Sequence, residues 1–431
     1  MKSSPPSSQE SKFKSFKRES HFINFKGLAP FLLASLFVTF IFSFFIFYSP
    51  IPSSVTTQRQ QLNHADKVTP IKTPPRIGFV GDKECDLFKG HWVHEDRGSF
   101  YTNSSCTTIP ESKNCFKNGR EDVDFLNWRW KPDQCDLPRF EANKFLKIVR
   151  GKKMAFIGDS VSRNHMESLL CLLSQEEVPR DIYKDSEDRF RTWYFPSHDF
   201  TVMSLWTKFL VISEEREING SMSGVFDLHL DKVDNSWSQK IRDTDYAIVS
   251  NGHWFFRKNY LYEDGRLLGC VYCNEPNVTE LGLQFALRRA FRTALRHINE
   301  CADCKDTVAL VRTFSPAHFD GGNWDSGGQC NRTSPTSEGE LRLEESFEWE
   351  LRIIQVEEYE NVGREVRDGK RFGTLDVTRA MLMRPDGHPN SNWGNKWMRG
   401  FNDCVHWCLP GPIDSWNEFL MALLENFAGF S

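Results

Sequence analysis

The run Gly158-Asp159-Ser160-Val161-Ser162-Arg163-Asn164 follows an apolar stretch at 154–157 and precedes residues 161–173, where Met166, Leu169, Leu170 and Leu173 recur at helical spacing. The pattern predicts a strand, a tight turn and a helix, with Ser160 on the turn. A serine so placed projects its hydroxyl beyond the sheet. Its backbone N–H stands at the positive end of the helix, where an oxyanion is stabilised. The chemistry that fits is nucleophilic acyl transfer. Asp and Ser are also common helix N-caps, so these three residues alone suit a structural role equally well.

A serine hydroxyl is a weak nucleophile at neutral pH and needs a base, and that base needs an orienting group. Of the 12 histidines, His406 stands out in Asp403-Cys404-Val405-His406-Trp407-Cys408. An acid three residues before a histidine reaches Nδ1 within one turn and leaves Nε2 facing outward. The rival is His388 in Arg384-Pro385-Asp386-Gly387-His388-Pro389. Its acid is two residues away in a Pro/Gly turn, a spacing that suits a turn-forming aspartate.

Elements able to hold these residues follow from the alternation of patterns. Further strands are predicted at 202–212, 226–230, 246–250, 308–311 and 372–375, and helices at 280–298, with Thr279 as N-cap, and 345–360. Repeated strand and helix predict an α/β fold, a mostly parallel sheet flanked by helices. Ligands of such sheets bind beyond the carboxyl ends of the strands, where Ser160 and Asn251 fall. Residues 79–150 are different, dense in cysteine (Cys85, Cys106, Cys115, Cys135) and tryptophan (Trp92, Trp128, Trp130). They predict a small disulfide-stapled subdomain whose tryptophans either pack on the bridges or stack on sugar rings.

Residues 28–48 form 21 uncharged, largely apolar positions, about 31 Å as a helix, which matches a bilayer core. They predict a transmembrane signal anchor. Residues 1–27 hold six Lys and Arg against two Glu, so they form a cytoplasmic tail by the positive-inside rule. With −4 over the whole chain and +4 in this tail, the remainder carries −8. Such a body has no broad cationic field for a polyanion, which excludes nucleic acid as a natural partner. Residues 49–78, rich in Ser, Thr, Gln and Pro, read as a lumenal stem. All 12 cysteines follow the stem, as do four glycosylation sequons at Asn103, Asn219, Asn277 and Asn331. Anchor, sequons and cysteines together predict an oxidising lumen. The pairs Cys270/Cys273 and Cys301/Cys304 have zinc-like spacing, but in that compartment they read as bridges.

Gly158-Asp159-Ser160 with Asp403-x-x-His406 and Trp128-Arg129-Trp130 resembles the plant trichome-birefringence-like family of polysaccharide O-acetyltransferases. These are type II Golgi membrane proteins with an SGNH/GDSL-like fold. The resemblance runs from about residue 81 to the carboxyl terminus, with the catalytic domain at 151–431, and both catalytic blocks, the cysteine-rich block and the anchor agree in order. The stretches 160–171, 252–256, 262–265 and 269–273 are most similar to the branch acetylating xyloglucan, with the glucomannan branch close behind.

The resemblance implies that Ser160 is the nucleophile, His406 the base and then acid, and Asp403 the orienter. It also implies that Arg163 and the Asn251-Gly252 segment bind the acyl oxygen, although Ser250-Asn251-Gly252 stands where broader SGNH enzymes carry Gly-x-Asn. By the same resemblance Cys85 pairs with Cys135 and Cys106 with Cys171, while Cys404 and Cys408 are tied back to the region around Cys330. The implied reaction is ping-pong transfer from an acetyl donor to xyloglucan galactosyl hydroxyls. No cofactor or metal is expected to be bound, since no dinucleotide or phosphate loop is present. Two other readings stay open. One is a polysaccharide acetylesterase with the same triad; the other is a non-catalytic polysaccharide-binding protein using Trp92, Trp128, Trp130 and Trp254.

Overall fold

The computed structural model describes residues 85–428 apart from 305, 368 and 395–399. The expected tail (1–27), anchor (28–48), stem (49–78) and residues 79–84 of the subdomain lie outside the described residues. Among the described residues, no helix is long and apolar enough to cross a membrane.

The cysteine-rich segment is built on an antiparallel pair, β1 (Gly90–His94) and β2 (Trp128–Pro132). Trp92 lies opposite Trp130 in the ladder, and His94 opposite Trp128 on the same face. Trp92 and Trp130 are buried and meet edge-on at 5.7 Å. The Trp92 Nε1–H donates to the Ala380 carbonyl (2.8 Å) and the Trp130 Nε1–H to that of Leu87 (2.9 Å). Buried indoles need such acceptors, and these two are core residues rather than a sugar platform. Six disulfides use all 12 cysteines: Cys85–Cys135, Cys106–Cys171, Cys115–Cys408, Cys270–Cys273, Cys301–Cys304 and Cys330–Cys404. The expected tie of Cys408 to the region around Cys330 is corrected. Cys404 takes Cys330, and Cys408 reaches across to Cys115 in the cysteine-rich segment.

Beyond it come α1 (Ala142–Ile148), β3 (Lys153–Gly158), α2 (Ser160–Leu173), β4 (Arg180–Lys184), β5 (Phe190–Phe195), β6 (Phe200–Trp206), β7 (Val211–Ile218), β8 (Ser221–Val233), α3 (Asn235–Ser238) and β9 (Tyr246–Ser250). The chain continues with β10 (Asn259–Glu263), β11 (Arg266–Val271), α4 (Gly282–Glu300), β12 (Val308–Arg312), α5 (Phe347–Gly363), β13 (Arg371–Leu375), α6 (Thr378–Leu382) and α7 (Asp414–Ala428). The main sheet has the order β13-β12-β9-β3-β6-β5-β4. Its first five strands are parallel and the β5-β4 pair extends it antiparallel. Strands β9 and β12 carry no outward polar face because every residue is buried, as the centre of a two-face-covered sheet requires. Alternate residues divide the core. Met154, Phe156, Ile248 and Leu310 pack with residues of α2 and α7, whereas Ala155, Ile157, Val249 and Val311 pack with α4 and α5.

Two expectations are corrected. The run 202–212 is not one strand. It splits into β6 of the main sheet and β7 of a second, four-stranded sheet ordered β11-β10-β8-β7. The break lies at Thr207–Leu210, where Leu210 takes φ +67°, a conformation that ends a strand. Thr279 does not cap α4, which begins at Gly282. Residue 280 is instead bridged to Cys270, and the Glu280 carboxylate accepts the Tyr272 and Cys273 N–H groups, holding the turn around Cys270–Cys273.

Helix α7 brings two acids into the core. Asp414 accepts hydrogen bonds from Tyr101 (2.9 Å) and Ser168 (2.5 Å), and Glu418 lies 3.8 Å from Arg139. Burial pushes both carboxyls up to about 7. A folded-state value raised above that of the unfolded chain contributes stability in full below about pH 4, and this is lost as pH rises through about 7. We therefore expect Tm to fall from pH 5 to pH 8. The pH slope should flatten in an Asp414→Asn/Glu418→Gln variant, the difference being on the order of a few kcal/mol. Melting curves across that range check it, and an unchanged slope in the double variant overturns the assignment.

Candidate active site

The carboxyl ends of β3 and β9 lie side by side, Gly158 opposite Ser250. Gly158 has φ +152°, and a Cβ there would collide with the Ser250 carbonyl oxygen, so only glycine lets the two strand ends close up. Asp159 is the N-cap of α2. Its Oδ1 accepts the Val161 N–H (3.0 Å) and its Oδ2 the Gly252 N–H (3.2 Å), joining the two strand-end loops. Ser160 is then the first residue of α2.

The second half of the site comes from 403–408. Asp403 Oδ1 accepts the N–H groups of Val405 (3.1 Å) and His406 (3.0 Å), and this carboxylate-capped turn is the physical meaning of the Asp-x-x-His spacing. Asp403 Oδ2 lies 2.8 Å from His406 Nδ1, and His406 Nε2 lies 2.7 Å from Ser160 Oγ. Burial alone would raise the Asp403 carboxyl. The adjoining His406 and the hydrogen bonds from His406 and Val405 overcome it and hold the group well below the usual carboxylate range. Serine, imidazole and carboxylate thus form one hydrogen-bonded line, the arrangement that turns a hydroxyl into a nucleophile.

The turn is pinned from several sides. Asp403 and Asn390 exchange backbone hydrogen bonds at 2.9 Å each. The disulfides at Cys404 and Cys408 flank His406. Asn164, one turn along α2 from Ser160, accepts the Trp407 N–H (2.8 Å) and donates to the Trp407 carbonyl (3.3 Å). The helix that carries the serine is thereby clamped to the loop that carries the histidine. Sequence reading missed the roles of Asn164 and Cys115, and the bond by which Asp159 holds Gly252. Only the position of Asn164 four residues after Ser160, on the same helix face, pointed to it.

The expected acyl-oxygen residues fare differently. Asn251 and Gly252 follow the end of β9, beside Asp159, and each gives one N–H to an acceptor inside the protein. The Asn251 amide donates to the Thr207 carbonyl (3.0 Å), and the Gly252 N–H is held by Asp159. The Gly252 N–H is thus taken up in building the loop, whereas the Asn251 NH₂ group keeps a second N–H beyond the one given to Thr207. Arg163 bonds the Asp188 carbonyl with one guanidinium nitrogen, while its Nε–H is buried without an acceptor. The rival base, His388, does not touch Ser160. Its Nδ1 lies 2.7 Å from the His406 carbonyl, and Asp386 is paired with Arg384. All four sequon asparagines, Asn103, Asn219, Asn277 and Asn331, are exposed. Trp254 is half-buried against Trp206, Phe209 and Phe226.

Residues 137–423 match the profile of the GDSL/SGNH-like acyl-esterase family found in Pmr5 and Cas1p. The chain belongs to this family. Residues 83–136 match the PMR5 N-terminal domain, so two bridges, Cys106–Cys171 and Cys115–Cys408, join the two matched segments. Xyloglucan O-acetyltransferase 3 of Populus trichocarpa is 58% identical over 390 residues, spanning 90% of this chain and 96% of the relative. Xyloglucan O-acetyltransferase 2 of Arabidopsis thaliana is 54% identical over 406 residues, 94% of each. Protein trichome birefringence-like 20 of Arabidopsis thaliana is 45% identical over 350 residues, 80% of this chain and 72% of the relative.

Proposed function

We propose that this protein transfers acetyl groups from an activated donor to hydroxyls of xyloglucan, on galactosyl side chains, through an acetyl-Ser160 intermediate. The observation that carries this reading is the unbroken Ser160–His406–Asp403 line in a chain so similar to xyloglucan O-acetyltransferases. In the first half-reaction His406 Nε2 takes the Ser160 proton as Oγ attacks the donor carbonyl, then returns it to the leaving group. In the second, His406 deprotonates the sugar hydroxyl that attacks the acetyl ester, and the proton passes back to Ser160. Charge on each tetrahedral intermediate falls to the Ser160 N–H at the start of α2 and to the unpartnered Nε–H of Arg163. The chain's own residues carry each step, and each turnover uses one acetyl donor and one sugar hydroxyl, giving the deacylated donor and the sugar ester.

The uncharged run 28–48 after a basic tail supports a single-pass type II anchor in the Golgi membrane, with the catalytic domain in the lumen. Full use of the cysteines in bridges and the four exposed sequons agree with that compartment.

The test incubates full-length protein in detergent with an acetyl donor, then with xyloglucan or glucomannan oligosaccharides, and reads intact masses. A gain of about 42 Da on the protein, passed on to xyloglucan, is expected. Preference for glucomannan overturns the substrate. Release of acetate from acetylated polymer with no transfer to either sugar makes the protein an esterase, and saccharide binding without chemistry makes it a binding module.

A further inference from the structure

Two histidines that no step above uses lie beneath the turn that carries His406. His388 is 2% exposed, and its ring stacks on Trp407 with centroids 4.1 Å apart. Its Nδ1 is 2.7 Å from the backbone carbonyl oxygen of His406, and its Nε2 is 2.7 Å from Nδ1 of His318. Nε2 of His318 in turn lies 3.3 Å from the Leu382 carbonyl. The backbone joins in: the His318 N–H donates to the Cys404 carbonyl (3.1 Å) and the Cys408 N–H to that of Gly387 (3.0 Å). The segments around 318 and 388 therefore grip 404–408 at three points, and the middle one is the carbonyl of His406 itself.

Counting protons fixes the state of the pair. Three contacts link the four ring nitrogens to each other and to two carbonyls, and each hydrogen bond takes one proton. Two neutral imidazoles hold only two. A 2.7 Å approach of Nδ1 to a carbonyl oxygen requires a proton between them, so His388 carries its hydrogen on Nδ1. Its Nε2 is then bare and accepts from Nδ1 of His318. The one contact left without a proton is the longest, from His318 to Leu382. A third proton would make the pair a buried cation, and the surroundings do not favour one. Asp386 is engaged by Arg384, Asp403 by His406, and the Arg120 guanidinium bonds the carbonyls of His388 and Asp386. Asp320 and Arg332 add opposite charges near His318. Burial pushes His318 down to about 4 and His388 well below its ordinary value, in keeping with a neutral pair.

We propose that His388, its tautomer set by His318, is a positioning residue: its Nδ1–H holds the His406 carbonyl and so keeps the His406 imidazole within reach of both Ser160 and Asp403. This rests on the reading of Ser160 and His406 as nucleophile and base.

The test exploits the shapes of the amides, since the nitrogen of Asn overlays Nδ1 of histidine and that of Gln overlays Nε2. In the full-length protein, His388→Gln removes the donor to His406 and is expected to lower kcat for acetyl transfer about 10- to 100-fold, with the acceptor KM changed less than about threefold. His388→Asn keeps the donor and is expected to recover kcat to within about threefold of the parent. The acid limb of the pH–rate profile of His388→Asn should match that of the parent, because a neutral pair does not titrate there. Equal kcat for the Asn and Gln variants overturns the proposal: equal losses would assign the effect to ring stacking on Trp407, and equal retention would show that the contact is idle. Ser160→Ala is run alongside. Transfer surviving in that variant would sink the underlying site reading instead, so the two failures are told apart.

Discussion

Ser160→Ala is expected to form no acetyl-protein and to lower acetyl transfer by about 10⁴-fold or more, while still binding the acceptor oligosaccharide. The reason lies in the geometry of one atom. Oγ is the only part of Ser160 that meets His406 Nε2, at 2.7 Å, and without it the imidazole has no proton to take and the donor acetyl has no covalent destination. The backbone of Ser160 remains at the start of α2, so donors to the acyl oxygen persist and a small residual rate over water is expected. Radiolabelled acetyl transfer and intact mass measure both quantities. A labelled protein in the alanine variant would mean that another residue is the nucleophile.

Asp403→Asn is expected to cost about 10³- to 10⁴-fold in kcat although the side chain keeps its shape. The aspartate has two tasks: Oδ1 caps the turn by accepting the Val405 and His406 N–H groups, and Oδ2 faces His406 Nδ1. An amide can keep the first task with its oxygen, but its NH₂ then faces Nδ1. The imidazole proton is driven to Nε2, where it blocks uptake of the Ser160 proton. Because the Asp403 carboxyl titrates well below the usual range, no ordinary acidification mimics this change, and the loss should persist across pH 5–8. Ser160→Ala/Asp403→Asn should be no slower than Ser160→Ala alone, as expected of residues that act as a unit. Additive losses in the double variant would place Asp403 outside that unit.

The parts of the site legible in the sequence were those encoded locally. Asp159 and Ser160 at a strand-to-helix turn, and Asp403 three residues before His406, are consequences of single-turn geometry, and no long-range information was needed to find them. The wholly buried strand β9 and residues 308–311 of β12 were likewise visible as short uncharged runs. What stayed hidden depends on partners far along the chain. Nothing in the local sequence showed that Thr207 takes one N–H of the Asn251 amide or that Asp159 takes the Gly252 N–H. Cys404 and Cys408, four residues apart, were read as sharing one neighbourhood, yet their partners lie at 330 and 115. His388 competed for the role of base because spacing reports only the nearest acid, whereas its real contacts are with His318 and a carbonyl 18 residues away. The second sheet escaped because β7 and β8 are half-exposed and carry charges that blur their alternation.

The bridge from Cys115 to Cys408 spans 293 residues, and this sets an order of assembly during synthesis. Cys115 emerges from the ribosome well before Cys408 and cannot form this bridge until a further 293 residues have been made. The loop bearing His406 is therefore locked only after the segments that precede it have been made. A nascent or reduced chain already has its serine but lacks this restraint on its histidine, so the oxidised chain is the first form in which serine, histidine and aspartate are held together.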